Sequence, residues 1–279
     1  MTQFALKQWR QAGITNDFIF GNVMHLGNNC RDLLRAILPE LHIQRVKLIN
    51  TQKDIRDQYD QHGVRLDVFA EDEVERVYDV EMQVTRPKDL GERIRYYQSK
   101  IDMDSLVSGM SYGNIKRSYV IFLCPFDPFD KQLRRYTLQL RCDEEPALKL
   151  NTDAKVLLLN SAGKLGRVTP ELSSFFALMN GLTVQGNSFG EQILKDIAAV
   201  KRDPVKERDF MDMALKMYDA RQEGLKKGKT EGKLQMAVSV AQNLKRKGYN
   251  EEAIKDRLQD YFRDQLTEKE IKRIIKTLK

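Results

Sequence analysis

Two short stretches of the chain alternate apolar and polar residues with the period of a strand, residues 64–70 (VRLDVFA) and 77–84 (VYDVEMQV). In the second, Asp79, Glu81 and Gln83 project to one side, and Val80, Met82 and Val84 to the other. Paired as a hairpin, the two stretches bring Asp67 to the same acids. Upstream, Leu33, Leu34, Ile37 and Leu38 recur at helical spacing until Pro39 stops them, and residues 43–49 read as a first strand. Downstream, Ile94, Tyr97, Ile101 and Leu106 mark one stripe of a helix over residues 92–106, and residues 119–123 form the apolar run of a buried strand. The predicted order is αβββαβ, an α/β core.

Residues 156–159 add a further apolar strand, and Thr169-Pro170-Glu171 opens a helix with a cap residue before a proline. Ser188 to Glu191 has the spacing of a capping box, and Asp203-Pro204 repeats the cap-then-proline signal for a helix running toward Arg221. Gly224, Gly228 and Gly232 then recur at every fourth position. Each interior glycine costs a helix about 1 kcal/mol relative to alanine, so a flexible or marginally helical connector is expected here. Beyond it, residues 234–247 form a helix that Gly248 can cap, Asn250 starts another through Leu258, and Thr267 to Glu270 is a capping box before Ile271, Ile274, Ile275 and Leu278. The expected organisation is residues 1–202 as the main domain, 203–228 as a helix and glycine-containing connector, and 229–279 as a small basic helical module. Helices this short need a surface to pack on: one another, the core, or a partner chain in a homodimer.

Charge adds a modest pointer. Residues 203–279 hold 19 Lys or Arg against 14 Asp or Glu, so most of the formal +7 lies in the tail. A basic excess suits a polyanion, although acids interleaved at this density also make an ordinary solvated helical surface. No apolar run approaches the roughly 18 to 20 residues that span a bilayer, and the first residues lack a signal-peptide core. These features point to the cytoplasm and away from a membrane. Cys30, Cys124 and Cys142 form no CxxC, and His25, His42 and His62 show no ligand spacing, which leaves zinc chemistry and a Ser/His/Asp triad unsupported. The lack of a GxxxxGK[ST] segment removes the expectation of a nucleotide cofactor.

The acids on the paired strands carry the candidate chemistry. A carboxylate in an apolar strand is costly to bury, and a second one beside it raises the cost. A divalent cation relieves both, and Mg²⁺ is commonly held by one or two protein carboxylates, waters and substrate phosphates. The same spacing also describes acids on the solvated face of an amphipathic sheet, the commoner outcome on spacing alone.

The ordered series Asn16-Asp17-Phe18-Ile19-Phe20-Gly21, Asp67, Glu81-Met82-Gln83, residues 93–100 (RIRYYQSK), Gly109-Met110-Ser111-Tyr112, residues 118–122 (SYVIF) and Phe126-Asp127-Pro128-Phe129 resembles the Rpn family of recombination-promoting nucleases. These are also described as PD-(D/E)XK nuclease family transposases. The resemblance implies a restriction-endonuclease-like core of αβββαβ order with a mixed sheet, followed by a C-terminal helical extension. It implies that Asp67 and Glu81 bind Mg²⁺, with Mn²⁺ as a substitute. Gln83 stands where the superfamily motif has a lysine, and its uncharged amide would position water or phosphate. Asp17 is a candidate further acid, with helix capping by Asn16 or Asp17 an equal reading. Arg93, Arg95, Tyr96 and Lys100 are candidates to meet DNA phosphates, and a solvated basic face accounts for them as well.

The implied function is a bacterial Mg²⁺-dependent DNA endonuclease of low sequence selectivity that promotes recombination or transposition. The missing lysine raises an alternative, a nuclease-fold DNA-binding or assembly module that does not cleave. A helical-tail adaptor is a third.

Overall fold

The computed structural model of the chain describes residues 2–55, 64–106, 108–263 and 265–278. Among them are six strands, β1 (Val46–Ile55), β2 (Val64–Asp72), β3 (Val77–Met82), β4 (Ser118–Cys124), β5 (Arg135–Leu138) and β6 (Ala154–Asn160), in one sheet of order β1-β2-β3-β4-β6-β5. The first three form an antiparallel meander, β3, β4 and β6 run parallel, and β5 closes the far edge antiparallel to β6. Helices α1 (Thr2–Gln11), α2 (Asp17–Met24) and α3 (Asn29–Ile37) precede the sheet, and α4 (Leu90–Ser105) carries the chain from β3 to β4. The helices α5 (Pro170–Met179), α6 (Ser188–Arg202), α7 (Pro204–Arg246), α8 (Glu251–Tyr261) and α9 (Glu268–Thr277) follow. This is the αβββαβ order with a mixed sheet and a helical C-terminal part.

A parallel β3–β4 pair requires a crossover, and α4 supplies it. Leu90, Ile94, Tyr97 and Ile101, spaced for one helical stripe, pack on Phe69, Val77, Val120, Phe122 and Leu158. Full burial of one such side chain contributes about 1.5 to 3 kcal/mol. Strand alternation places Asp67, Asp79, Glu81 and Gln83 on this same side of the sheet, because Phe69 and Val77 share their parity. The positions between them, Val68, Tyr78, Val80 and Met82, are buried on the other side.

The helices α2, α3, α5 and α6 pack on one another. Gly190 at the start of α6 permits the close approach of α5, since a Cβ there would meet Ser174 Oγ at 1.9 Å. The capping residue of α6 is Asn187, whose side chain accepts from Gly190 N, rather than the Ser188 predicted from spacing. Glu191 accepts from Gly186 N rather than from the backbone of Ser188. At α5 the expected Thr169 cap is present, accepting from Leu172 N.

The first strand begins at Val46, later than the predicted residue 43, because Glu73 takes the N–H groups of Gln44 and Arg45 at 3.0 and 2.9 Å.

The chain divides into two compact units, Thr2–Phe210 and Met211–Lys279. In the first, Trp9, Phe18 and Phe210 form an aromatic cluster with ring centroids 5.1 to 6.1 Å apart. In the second, Ala237, Ala241 and Leu244 pack with Ile254, Leu258, Phe262, Ile271 and Ile274 in one apolar core. Gly248, at φ +85°, ends α7 in the left-handed conformation that favours glycine. Asn250 caps α8, and the Thr267–Glu270 capping box opens α9. Helix α7 is continuous through Gly224, Gly228 and Gly232, where glycine spacing predicts a flexible or marginally helical connector. The surrounding residues are strong helix formers, and Glu223 pairs with Lys227 one turn on at 2.7 Å.

Candidate active site

The site lies at the carboxyl ends of the parallel strands β3 and β4, where open α/β sheets commonly bind ligands. The β2–β3 ladder runs to Val68↔Val80, and one step further Asp67 and Glu81 stand opposite each other. There the side chains take over the ladder. Asp67 N donates to Glu81 Oε1 at 3.0 Å, and Met82 N donates to Asp67 Oδ2 at 3.0 Å. Each carboxylate is thus fixed by a backbone N–H beside the other. Asp67 is half-buried, whereas Glu81 is 5% exposed.

One turn of the pleat behind Glu81 is Asp79, fully buried at 0% exposure between Phe69 across the ladder and Val120 beside it. Neither of its carboxylate oxygens has a hydrogen-bond donor. Burial pushes the carboxyl of Asp79 up, and the nearby charge of Asp67 adds to this. Burial raises Glu81 too, followed by repulsion from Asp79 and Asp67. Three acids therefore share one face. Their oxygen-only donor set fits a hard divalent cation, which would relieve the orphaned Asp79 oxygens through charge. Among the described residues no three Asp, Glu, His or Cys side chains form a ready ligand group.

Gln83 continues the parallel ladder, its N–H donating to Leu123 O. Its side chain is engaged at both ends. Nε2 donates to Thr85 O at 2.6 Å, and Oε1 accepts from Arg93 Nη1 at 2.9 Å. Arg93 reaches down from the first turn of α4, and its Nη2 donates to Tyr97 Oη at 3.1 Å. The guanidinium carbon lies 5.5 Å from the Tyr97 ring centroid.

The loops beyond β3 and β4 are tied together. Arg86 forks onto the Asp130 carboxylate at 2.7 and 3.1 Å and donates to the Asp127 carbonyl. Asp127 builds its own turn, accepting from Phe129 N, Gln132 N and Tyr136 Oη.

The structure thus brings Asp67, Glu81, Gln83 and Arg93 together. Arg95 and Tyr96 lie on the exposed side of α4. Lys100, in contrast, is buried at 4% exposure with Nζ 5.5 Å from the Tyr96 ring centroid, a placement that does not offer its ammonium to a duplex. Asp17 occupies the first turn of α2, and Asn16 is the cap, accepting from Phe18 N and Ile19 N. Cys30 and Cys124 are buried thiols pushed up to about 12 by desolvation, consistent with packing roles. His62 lies outside the described residues. Asp79 and Tyr97 are additions to the predicted set. Alternation marks the face of Asp79, but only the absence of a donor distinguishes it.

The fold is a mixed α/β sheet with a carboxylate pair at its strand ends. The family model described as PD-(D/E)XK nuclease family transposase matches residues 15–157, just over half of the chain, and the chain belongs to that family. The match runs from the entry to α2 into β6 and contains every residue of the site. Membership supports a nuclease-like or transposase-related function with DNA as substrate, and nucleases of this type generally use divalent metals. No curated protein and no solved structure matches the chain. No helix among the described residues is long and apolar enough to cross a membrane.

Proposed function

We propose that this chain is a Mg²⁺-dependent DNA endonuclease that hydrolyses phosphodiester bonds with little sequence selectivity, acting in the cytoplasm in recombination or transposition. The observation that carries the reading is the reciprocal lock between Asp67 and Glu81, which fixes two carboxylates side by side at the strand ends of a nuclease-family sheet. Those two residues would hold the cation, with Mn²⁺ able to replace Mg²⁺. A divalent ion supplies a more acidic bound water and polarises the phosphoryl oxygen. Asp67 and Glu81 contribute fixed oxygen positions, and the buried walls of Phe69, Val120 and Phe122 limit bulk water behind them. Low selectivity fits Arg95 and Tyr96 on the outer side of α4, since a phosphate contact and a stacking ring read little base sequence.

We assign residues 1–202 to the nuclease domain with its accessory helices, 203–228 to the helix and glycine-containing connector, and 229–279 to a basic module that supports homodimer formation. The self-contained core of α8, α9 and the end of α7 supports the module as a unit of its own, and homodimer formation through it is to be tested by its oligomeric state in solution.

The test is nicking of supercoiled plasmid at low salt by the full chain and by Asp67→Ala and Glu81→Ala, with Mg²⁺ or with chelator. Metal-dependent nicking lost in both variants supports the reading. Binding without nicking by folded wild type would replace it with the DNA-binding or assembly module.

A further inference from the structure

The position two residues beyond Glu81 lacks a cation in the sequence, and the structure supplies one from elsewhere. Gln83 is 9% exposed, with its amide nitrogen held by Thr85 O and its amide oxygen by Arg93. It therefore has little left to offer a ligand. Arg93 differs. A guanidinium carries five N–H donors in a planar fork. Gln83 and Tyr97 each accept from one of its terminal nitrogens, and the Tyr97 ring lies alongside. The group is half-buried and stands within electrostatic reach of Glu81.

We propose that Arg93 is the catalytic cation of this site, contacting the non-bridging oxygens of the scissile phosphodiester, and that Gln83 is a positioning residue whose amide oxygen holds the guanidinium in place. This rests on the nuclease reading above. A guanidinium stays protonated throughout the accessible pH range, so its contribution is charge and geometry rather than proton abstraction. The fork also explains why glutamine serves at position 83. Its oxygen accepts from Arg93 while its nitrogen anchors to Thr85 O, whereas a lysine there would repel the guanidinium.

The experiment compares single-turnover cleavage of a labelled duplex at saturating enzyme for the full chain, Arg93→Met, Arg93→Lys, Gln83→Lys and the double variant Gln83→Lys/Arg93→Met. Removal of a preorganised donor to developing charge costs about 10²- to 10³-fold in rate, which is the loss expected for Arg93→Met. Arg93→Lys should retain part of the rate, because a point charge replaces the fork. The decisive arm is rescue: a lysine at position 83 should recover at least tenfold of the Arg93→Met loss, and a merely structural role for Arg93 would leave the double variant no better than the single. Unchanged cleavage by Arg93→Met, or absence of rescue in a folded double variant, overturns the proposal.

A second readout separates this from failure of the nuclease reading. Affinity for the same duplex is measured against salt with Ca²⁺ in place of Mg²⁺. Loss of one phosphate contact should lower the salt slope by about 1 in Arg93→Met. If wild type binds but does not cleave, the nuclease reading falls, and the slope alone decides: a reduced slope keeps Arg93 as the phosphate contact, and an unchanged slope overturns it.

Discussion

The two ends of the β2–β3 hairpin each hold a buried aspartate, and the two are treated in opposite ways. At the turn end, Asp72 accepts from Val74 N, Arg76 N, Arg76 Nε and Tyr78 Oη, and its carboxylate is surrounded by donors. At the open end, Asp79 has no donor to either oxygen and faces two further acids. Both lie in strands or their immediate ends, and both are nearly inaccessible. Asp72 shows what the hairpin does with a structural carboxylate. Asp79 and Glu81 instead lie side by side in apolar surroundings, where burial raises both carboxyls.

That contrast yields predictions of decreasing size. Glu81→Gln keeps a hydrogen-bond acceptor for Asp67 N but removes charge from the open end. Metal-dependent plasmid nicking should fall by about 10³-fold or more, without loss of melting temperature. A variant that nicks like wild type would place the chemistry elsewhere. Asp72→Ala acts on the turn end and strands the largely buried Arg76 guanidinium, whose partner lies at 2.5 Å. Urea denaturation should show about 3 to 5 kcal/mol of lost stability. Tyr78→Phe removes a single donor, the 2.7 Å bond to Asp72 Oδ2, and should cost about 1.5 to 3 kcal/mol by the same measurement.

Asp79→Asn should act in the opposite direction, with the smallest effect. Burial raises the Asp79 carboxyl, so in metal-free protein the folded chain keeps a proton that the unfolded chain has already released. Wild-type stability in chelator should therefore decline as pH rises from about 4, where a free aspartate ionises, through neutrality. The variant should show a shallower slope, since Glu81 is also raised by burial and keeps its own share, and should gain stability relative to wild type as pH rises. A parallel pair of stability–pH curves would show that Asp79 is already ionised and stabilised by something other than a cation.

The contrast between the two aspartates also marks what could be read in the sequence. Strand alternation over residues 77–84 placed Asp79, Glu81 and Gln83 on one face, and the hairpin placed Asp67 with them, because a period of two leaves little freedom once pairing is granted. The helix spacing of Ile94, Tyr97 and Ile101 located α4 for the same reason. Partner choice was not legible. Whether an acid is knitted into a turn like Asp72 or left open like Asp79 depends on backbone donors brought by the turn over residues 73–76, and alternation carries no trace of them. The Arg93–Gln83 bond crosses from a helix to a strand, so no sequence period records it. The edge strand β5 has only four residues, too few for alternation to mark. Lys100 looked like its neighbour Arg95, yet the helix turns one inward and the other outward.

The most direct measurement is calorimetric titration of Mn²⁺ into the full-length chain and into Glu81→Gln and Asp72→Asn, at neutral pH and without DNA. If the open end of the hairpin is the cation site, wild type and folded Asp72→Asn bind saturably and Glu81→Gln does not. Equal binding by wild type and Glu81→Gln, or no binding by well-folded wild type, would contradict it.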